Sequence, residues 1–152
     1  MINIEITDVF EPKIEIPRIE SAANRTLEHL SVPKDSSLTI LITSDKVIQA
    51  LNHQFRAVDS PTDVLAFPAG YIDPESGITY LGDVIISYQR AAHQAEQRDH
   101  EVIVEIQLLV IHGIMHLLGY DHAEFEERKR MWSIKSAILG KLNIRPEVMA
   151  DR

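Results

Sequence analysis

Residues 102–118 do most to narrow what this chain can fold into. The run is apolar almost all round, interrupted by Glu105, Gln107, His112 and His116. Its length suits a helix better than a buried strand. A helix apolar on every side has to be wrapped by the rest of the protein. The polar interruptions make it a core helix rather than a membrane span. Glu105, His112 and His116 share a stripe, because spacings of seven and eleven residues return close to the same face. A buried helix with such a stripe must satisfy those groups. Glu105 lies two turns before His112, roughly 10 Å along the axis, too far to share a partner with the histidines, and is expected to reach solvent.

The remaining elements have to cover this helix. Ile2, Ile4 and Ile6 alternate with polar residues as in a half-buried strand. Pro17 opens a helix to about residue 30, with Ile19, Ala22, Ala23, Leu27 and Leu30 inward. Residues 38–43 are β-branched and read as a strand. Ser44 can cap a short helix that carries Val47, Ile48 and Leu51 inward. Residues 63–67 form another strand, stopped by Pro68, and 70–77 an exposed loop. Residues 82–87 give a fourth strand. Helices follow over 88–98, over 101–118 ended by Gly119, and over 123–139, the last with Met131, Trp132, Ile134, Ile138 and Leu139 available for packing. Strands come mostly first and helices mostly last. The order predicts an α+β domain, a small mixed sheet of about four strands backed by helices. A chain of 152 residues suits a single domain over 1–152, with a loose tail from about residue 143.

With 45% apolar and 25% charged residues the composition is that of an ordinary globular protein. There is no cysteine, which excludes disulfides and thiolate metal sites. No basic leader with an apolar stretch opens the chain, so no secretory signal is expected and a cytoplasmic location is. The net charge of −8 argues against a non-specific nucleic-acid binder, though it leaves room for a local basic surface. Arg56, Arg90, Arg98 and the run Arg128-Lys129-Arg130 are the candidates for one. The run can equally be a solvated helix face, since Glu124, Glu126 and Glu127 precede it at salt-bridging distances.

The chemistry is concentrated in His112-Gly-Ile-Met-His116-Leu-Leu-Gly-Tyr-Asp-His122. Residues four apart on a helix lie ~5–6 Å apart at Cβ, so two imidazoles can reach one ion. Gly119 lets the chain turn so that His122 can return to the same point. Three neutral imidazoles suit one Zn2+ per chain and leave a fourth position for water, as in catalytic sites. A lone histidine on such a helix would ordinarily be a satisfied core residue; the third histidine beyond a glycine turn shifts the reading to metal. In His-Glu-x-x-His peptidases a glutamate after the first histidine is the general base. Here that position is Gly113, which weakens a metallopeptidase reading.

Arg56 stands in a Pro- and Asp-rich segment, where a planar guanidinium could hold phosphate or pair with Asp59 or Asp63 to stiffen a loop. Asp63 and Asp83 could each orient a ligand histidine through its second ring nitrogen or brace the backbone locally.

The histidine run resembles the signature His-Gly-x-x-His-Leu-x-Gly-Tyr-Asp-His of the YbeY family of bacterial zinc-dependent endoribonucleases. A second block agrees, Asn52 through Phe55-Arg56 and Asp59 to Pro61-Thr62-Asp63-Val64-Leu65-Ala66-Phe67-Pro68, departing only at Ala66, where serine is common. A third is Leu81-Gly82-Asp83 to Ser87. The blocks stand in the family's order. The resemblance implies a metalloprotease-like α+β fold with a cleft running past zinc. It implies cleavage of single-stranded RNA, 3′-end maturation of 16S ribosomal RNA and ribosome quality control. It places zinc on His112, His116 and His122, and Arg56 in the cleft as a further catalytic group. The partners implied are ribosomal RNA and the small ribosomal subunit or its assembly factors, with no membrane. A zinc metallopeptidase-like hydrolase and a non-catalytic assembly factor with a structural metal are the alternatives.

Overall fold

Four apolar segments pair into one sheet, and the 102–118 run crosses it as a helix. The structure is a computed structural model that describes residues 1–7, 14–120 and 124–149. In chain order the elements are β1 (Ile2–Ile6), α1 (Ile16–His29), β2 (Ser36–Thr43), α2 (Asp45–Arg56), β3 (Val64–Ile72), β4 (Thr79–Ser87), α3 (Tyr88–Gln97), α4 (Val102–Leu117), α5 (Phe125–Lys141) and a 3-10 turn, Pro146–Met149. The sheet order is β1-β2-β4-β3. β1 and β4 both run parallel to β2, and β3 is antiparallel to β4. The architecture is the α+β domain with a four-stranded mixed sheet that the sequence predicts. Among the described residues no single helix is long and apolar enough to cross a membrane.

The period of two along the strands separates two cores. Ile40, Ile42, Val84 and Ile86 point to one face and join Ile19, Ile106, Ile111, Ile114 and Met115 of α1 and α4 in the main cluster. Ile85 and Leu65 point to the other, where Ile48 of α2 completes a much smaller cluster. Serines open two of the helices. The Ser44 hydroxyl accepts from Val47 N–H at 3.3 Å, and Ser87 Oγ accepts from Arg90 N–H at 3.2 Å. Gly119 has φ +93 and lets the chain leave α4. Gly113 answers a different need, close approach. A Cβ there would stand 2.5 Å from Val84 Cγ1 and 3.3 Å from Val64 Cγ2, so α4 rests on the sheet at this point.

The structure departs from the sequence reading in four places. β3 does not stop at Pro68; it continues to Ile72, with a register shift between Pro68 and Tyr71. An edge strand can hold proline because its outward N–H side needs no partner, and β3 is bonded only to β4. Of the segment read as an exposed loop over 70–77, residues 70–72 belong to β3, while 73–77 is the turn of the β3–β4 hairpin, exposed over 74–77 and closed by Asp73 N–H donating to Ile78 O at 2.9 Å. On α2, Val47 is exposed and Ile48 carries the packing. Within 143–149 the chain is packed rather than loose, with Ile144 and Met149 buried in the main core; the rest of the expected loose tail, 150–152, lies outside the described residues.

Candidate metal centre

From Ile103 to Leu117 every residue of α4 is buried except His112 and His116. They are the two points where the core helix reaches open space. Four residues apart, their rings stand 4.4 Å between centroids and 58° apart in plane. Their Nε2 atoms lie 2.9 Å from each other. Nitrogens bound to one zinc at ~2.0–2.1 Å and near-tetrahedral angle are roughly 3.3 Å apart, so a few tenths of an ångström of opening would seat the ion. The donor set therefore fits Zn2+. His122, the third expected ligand, lies outside the described residues, and among the described residues no group of three metal-ligating side chains is present. Lys135 on α5 stands 2.7 Å from His112 Nδ1.

His112 opens on a cleft of about 360 Å³ between α3, α4 and α5, lined also by Asp63, Arg98, Arg128, Trp132 and Lys135. Leu108, Leu109 and Met131 form its apolar walls. Among the described residues its charged lining is Arg98, Arg128 and Lys135 against Asp63, with Arg98 already paired to Glu105, so a chain of net charge −8 has a locally basic cavity beside His112. Of the two candidate aspartates the cleft takes Asp63. Its carboxylate accepts from Val64 N–H at 2.8 Å and from Gln94 Nε2 at 3.3 Å. Asp83 instead accepts from the Tyr80 hydroxyl in the sheet. Burial and that carboxylate push the Tyr80 hydroxyl above its ordinary value.

Arg56 is not among the cleft residues. It is not on a loop either: it ends α2, which packs against the opposite face of the sheet. Ala57, in the left-handed region at φ 58, turns the chain there toward Asp63. Arg56 is exposed and, among the described residues, makes no ion pair. Asp59 accepts from Gln49 instead, and the loop-bracing role for Arg56 falls away. Arg90 pairs with Asp45 at 3.4 Å, and Arg130 with Glu127 at 3.8 Å. Glu105 does not reach solvent. It is fully buried, bonded to His100 Nε2 at 2.7 Å and 3.6 Å from Arg98 Nη1. The short sequence distance from Arg98 to Glu105 was the available signal for that network. Trp132 and Lys135 are cleft residues that the sequence reading did not single out as functional. Their helix spacing with Arg128 looks like any amphipathic face until the packing of α5 against α4 is known.

Fold and site together define a small α+β domain whose buried helix presents paired histidines to a basic cleft, the make-up of a metal-assisted hydrolase of anionic substrates. Residues 5–143 match the family described as Endoribonuclease YbeY. A protein of Ureaplasma urealyticum named Endoribonuclease YbeY is 35% identical over 152 residues, covering 100% of this chain and 97% of its own. One of the same name from Aquifex aeolicus is 39% identical over 132 residues, 86% of each chain. A Thermotoga maritima protein solved in solution superposes with a TM-score of 0.59 at 25% identity, covering 94% of this chain and 92% of its own. The chain belongs to the YbeY endoribonuclease family.

Proposed function

We propose that this chain is a zinc-dependent endoribonuclease that cleaves single-stranded RNA in the cytoplasm, in 3′-end maturation of 16S ribosomal RNA and in ribosome quality control, working with the small ribosomal subunit or its assembly factors. The observation that carries the reading is the convergence of His112 and His116 Nε2 at 2.9 Å at a cleft whose charges are mostly cationic, in a chain of an endoribonuclease family. His112, His116 and His122 would hold one Zn2+. When bound, the ion supplies Lewis acidity toward a phosphoryl oxygen and a water of lowered pKa. The protein's own contribution is positioning. The histidines sit on the most buried helix, so their geometry is held by core packing. Arg56 takes a phosphate of the strand outside the cavity, from the end of α2.

A zinc peptidase is disfavoured by Gly113, where a Cβ would stand 2.5 Å from Val84 Cγ1 and 3.3 Å from Val64 Cγ2; a glutamate base there would have to displace the helix from the sheet. A purely structural metal is separated by assay. Zinc-loaded protein is expected to cut a single-stranded RNA and leave a peptide intact. His116→Ala is expected to lose bound zinc and cleavage together. Cleavage that persists in zinc-free His116→Ala would trace the activity to a contaminant, and its absence in the zinc-loaded parent would leave the assembly-factor reading.

A further inference from the structure

The chain has one tryptophan, and it is 53% exposed. Half-exposing an indole forgoes much of the hydrophobic stabilisation that such a ring gains when buried. The neighbouring Met131 is only 2% exposed, so α5 packs well while leaving Trp132 turned into the cleft. Arg128, Trp132 and Lys135 follow at four and three residues and share one face of α5. All three line the cavity that His112 opens on. An aromatic platform between two cations is the combination used to hold single-stranded nucleic acid, the base stacked on the ring and the backbone on the charges. At about 360 Å³ the cavity is near the lower end of the ~300–1,000 Å³ range of small-ligand sites, room for one nucleotide rather than several. Its apolar walls, Leu108, Leu109 and Met131, suit the flat face of a base.

We propose that this cleft is a nucleotide subsite, in which one unstacked base of the RNA lies against Trp132 while Arg128 and Lys135 hold its adjoining phosphates beside His112. The inference rests on the nuclease reading and deepens it: it makes the enzyme choose single strands, because a base inside a duplex cannot leave its stack to reach the ring.

The single tryptophan supplies its own probe. A short 2′-O-methyl single strand, titrated into the full chain at low salt, is expected to quench Trp132 emission, and a duplex of the same sequence is not. With a labelled strand, Trp132→Ala is expected to bind about 5- to 150-fold more weakly, the loss typical of one stacked base. Trp132→Phe is expected to recover part of that loss, and both variants to melt like the parent, since the ring is half in solvent. Arg128→Ala is expected to lower the slope of log affinity against log salt by about 1. Strand binding without a change in emission, Trp132→Ala binding like the parent, or equal quenching by duplex would each overturn the subsite. The two readings fail separately. Zinc-loaded parent that cuts RNA beside an unaffected Trp132→Ala leaves the nuclease and removes the subsite. Quenching by single strand in a zinc-loaded parent that cuts nothing leaves the subsite and removes the nuclease.

Discussion

Gly113→Ala isolates the contact that sets the height of the histidine helix above the sheet. The new methyl would stand 2.5 Å from Val84 Cγ1, 3.2 Å from Val84 Cγ2 and 3.3 Å from Val64 Cγ2. Carbon atoms pack at ~3.5–4.0 Å, so the closest approach is short by about 1 Å. Val84 is fully buried and stiff at χ1. The helix must lift instead. Overpacking of this kind costs ~1–3 kcal/mol, while alanine is ~1 kcal/mol better than glycine inside a helix. The clash wins, with a net loss of up to about 2 kcal/mol, or roughly 4–8 °C in Tm for a chain of this size. Gly140 is the internal control. Nothing lies within 4 Å of a Cβ built there, and Gly140→Ala should gain a few tenths to about 1 kcal/mol. Urea and thermal melts followed by circular dichroism measure both. Gly113→Ala combined with Val84→Ala should show coupling of ~0.5–3 kcal/mol, because the second change makes room for the first. A Gly113→Ala protein as stable as the parent, or a pair whose effects simply add, would refute the packing account.

Arg56→Ala should keep its fold and its zinc, because the side chain is exposed and has no partner among the described residues, yet bind RNA more weakly, with the slope of log affinity against log salt lower by about 1; zinc per chain measured beside salt-dependent RNA binding checks both halves. Glu105→Gln leaves Arg98 facing a neutral amide at a fully buried position, and chemical denaturation should show a loss toward the low end of ~3–5 kcal/mol, because Arg98 keeps 25% of its side-chain surface in solvent. In the β3–β4 turn, the N–H of Glu75 and the hydroxyl of Ser76 hold the Asp73 carboxylate below its ordinary value. Its contribution is therefore full above the unfolded carboxylate value and is lost as pH falls through the lowered folded one. Asp73→Ala should be less stable than the parent near neutral pH, and the gap between their melts should close in strong acid.

The parts legible from sequence were those set by short-range pattern. The 102–118 run announced a core helix because nothing else accommodates so continuous an apolar surface, and its histidines stood out against it. Ser44 and Gly119 act locally and were read correctly. The misses are tertiary. Pro68 ends a strand only if that strand has neighbours on both sides, and the sequence does not say that β3 lies at an edge. Val47 and Ile48 compete for the same inward position, and only the sheet face against α2 decides between them. An indole on an amphipathic helix usually packs, and the 53% exposure of Trp132 depends on how α5 is rotated in the fold. The residues after Arg56 look like a loop, but the helix persists just far enough to include it.

The two sides of the sheet differ greatly in how much apolar material they bury. On one side α4 is enclosed by the main cluster. On the other, α2 is attached through Ile48 over Leu65 and Ile85, with Leu41, Leu51 and Phe67 only partly covered. Local opening free energies follow such differences, so α2 belongs to the part of the molecule that opens and recloses without global unfolding, and α4 to the part whose amides exchange only when the whole domain opens. The histidines thus stand on the more deeply packed element and Arg56 on the less deeply packed one. On the proposed function, an incoming strand would meet a fixed point of chemistry and a guanidinium that can travel, and the rate at which α2 settles would become a kinetic parameter of capture, separable from the chemical step.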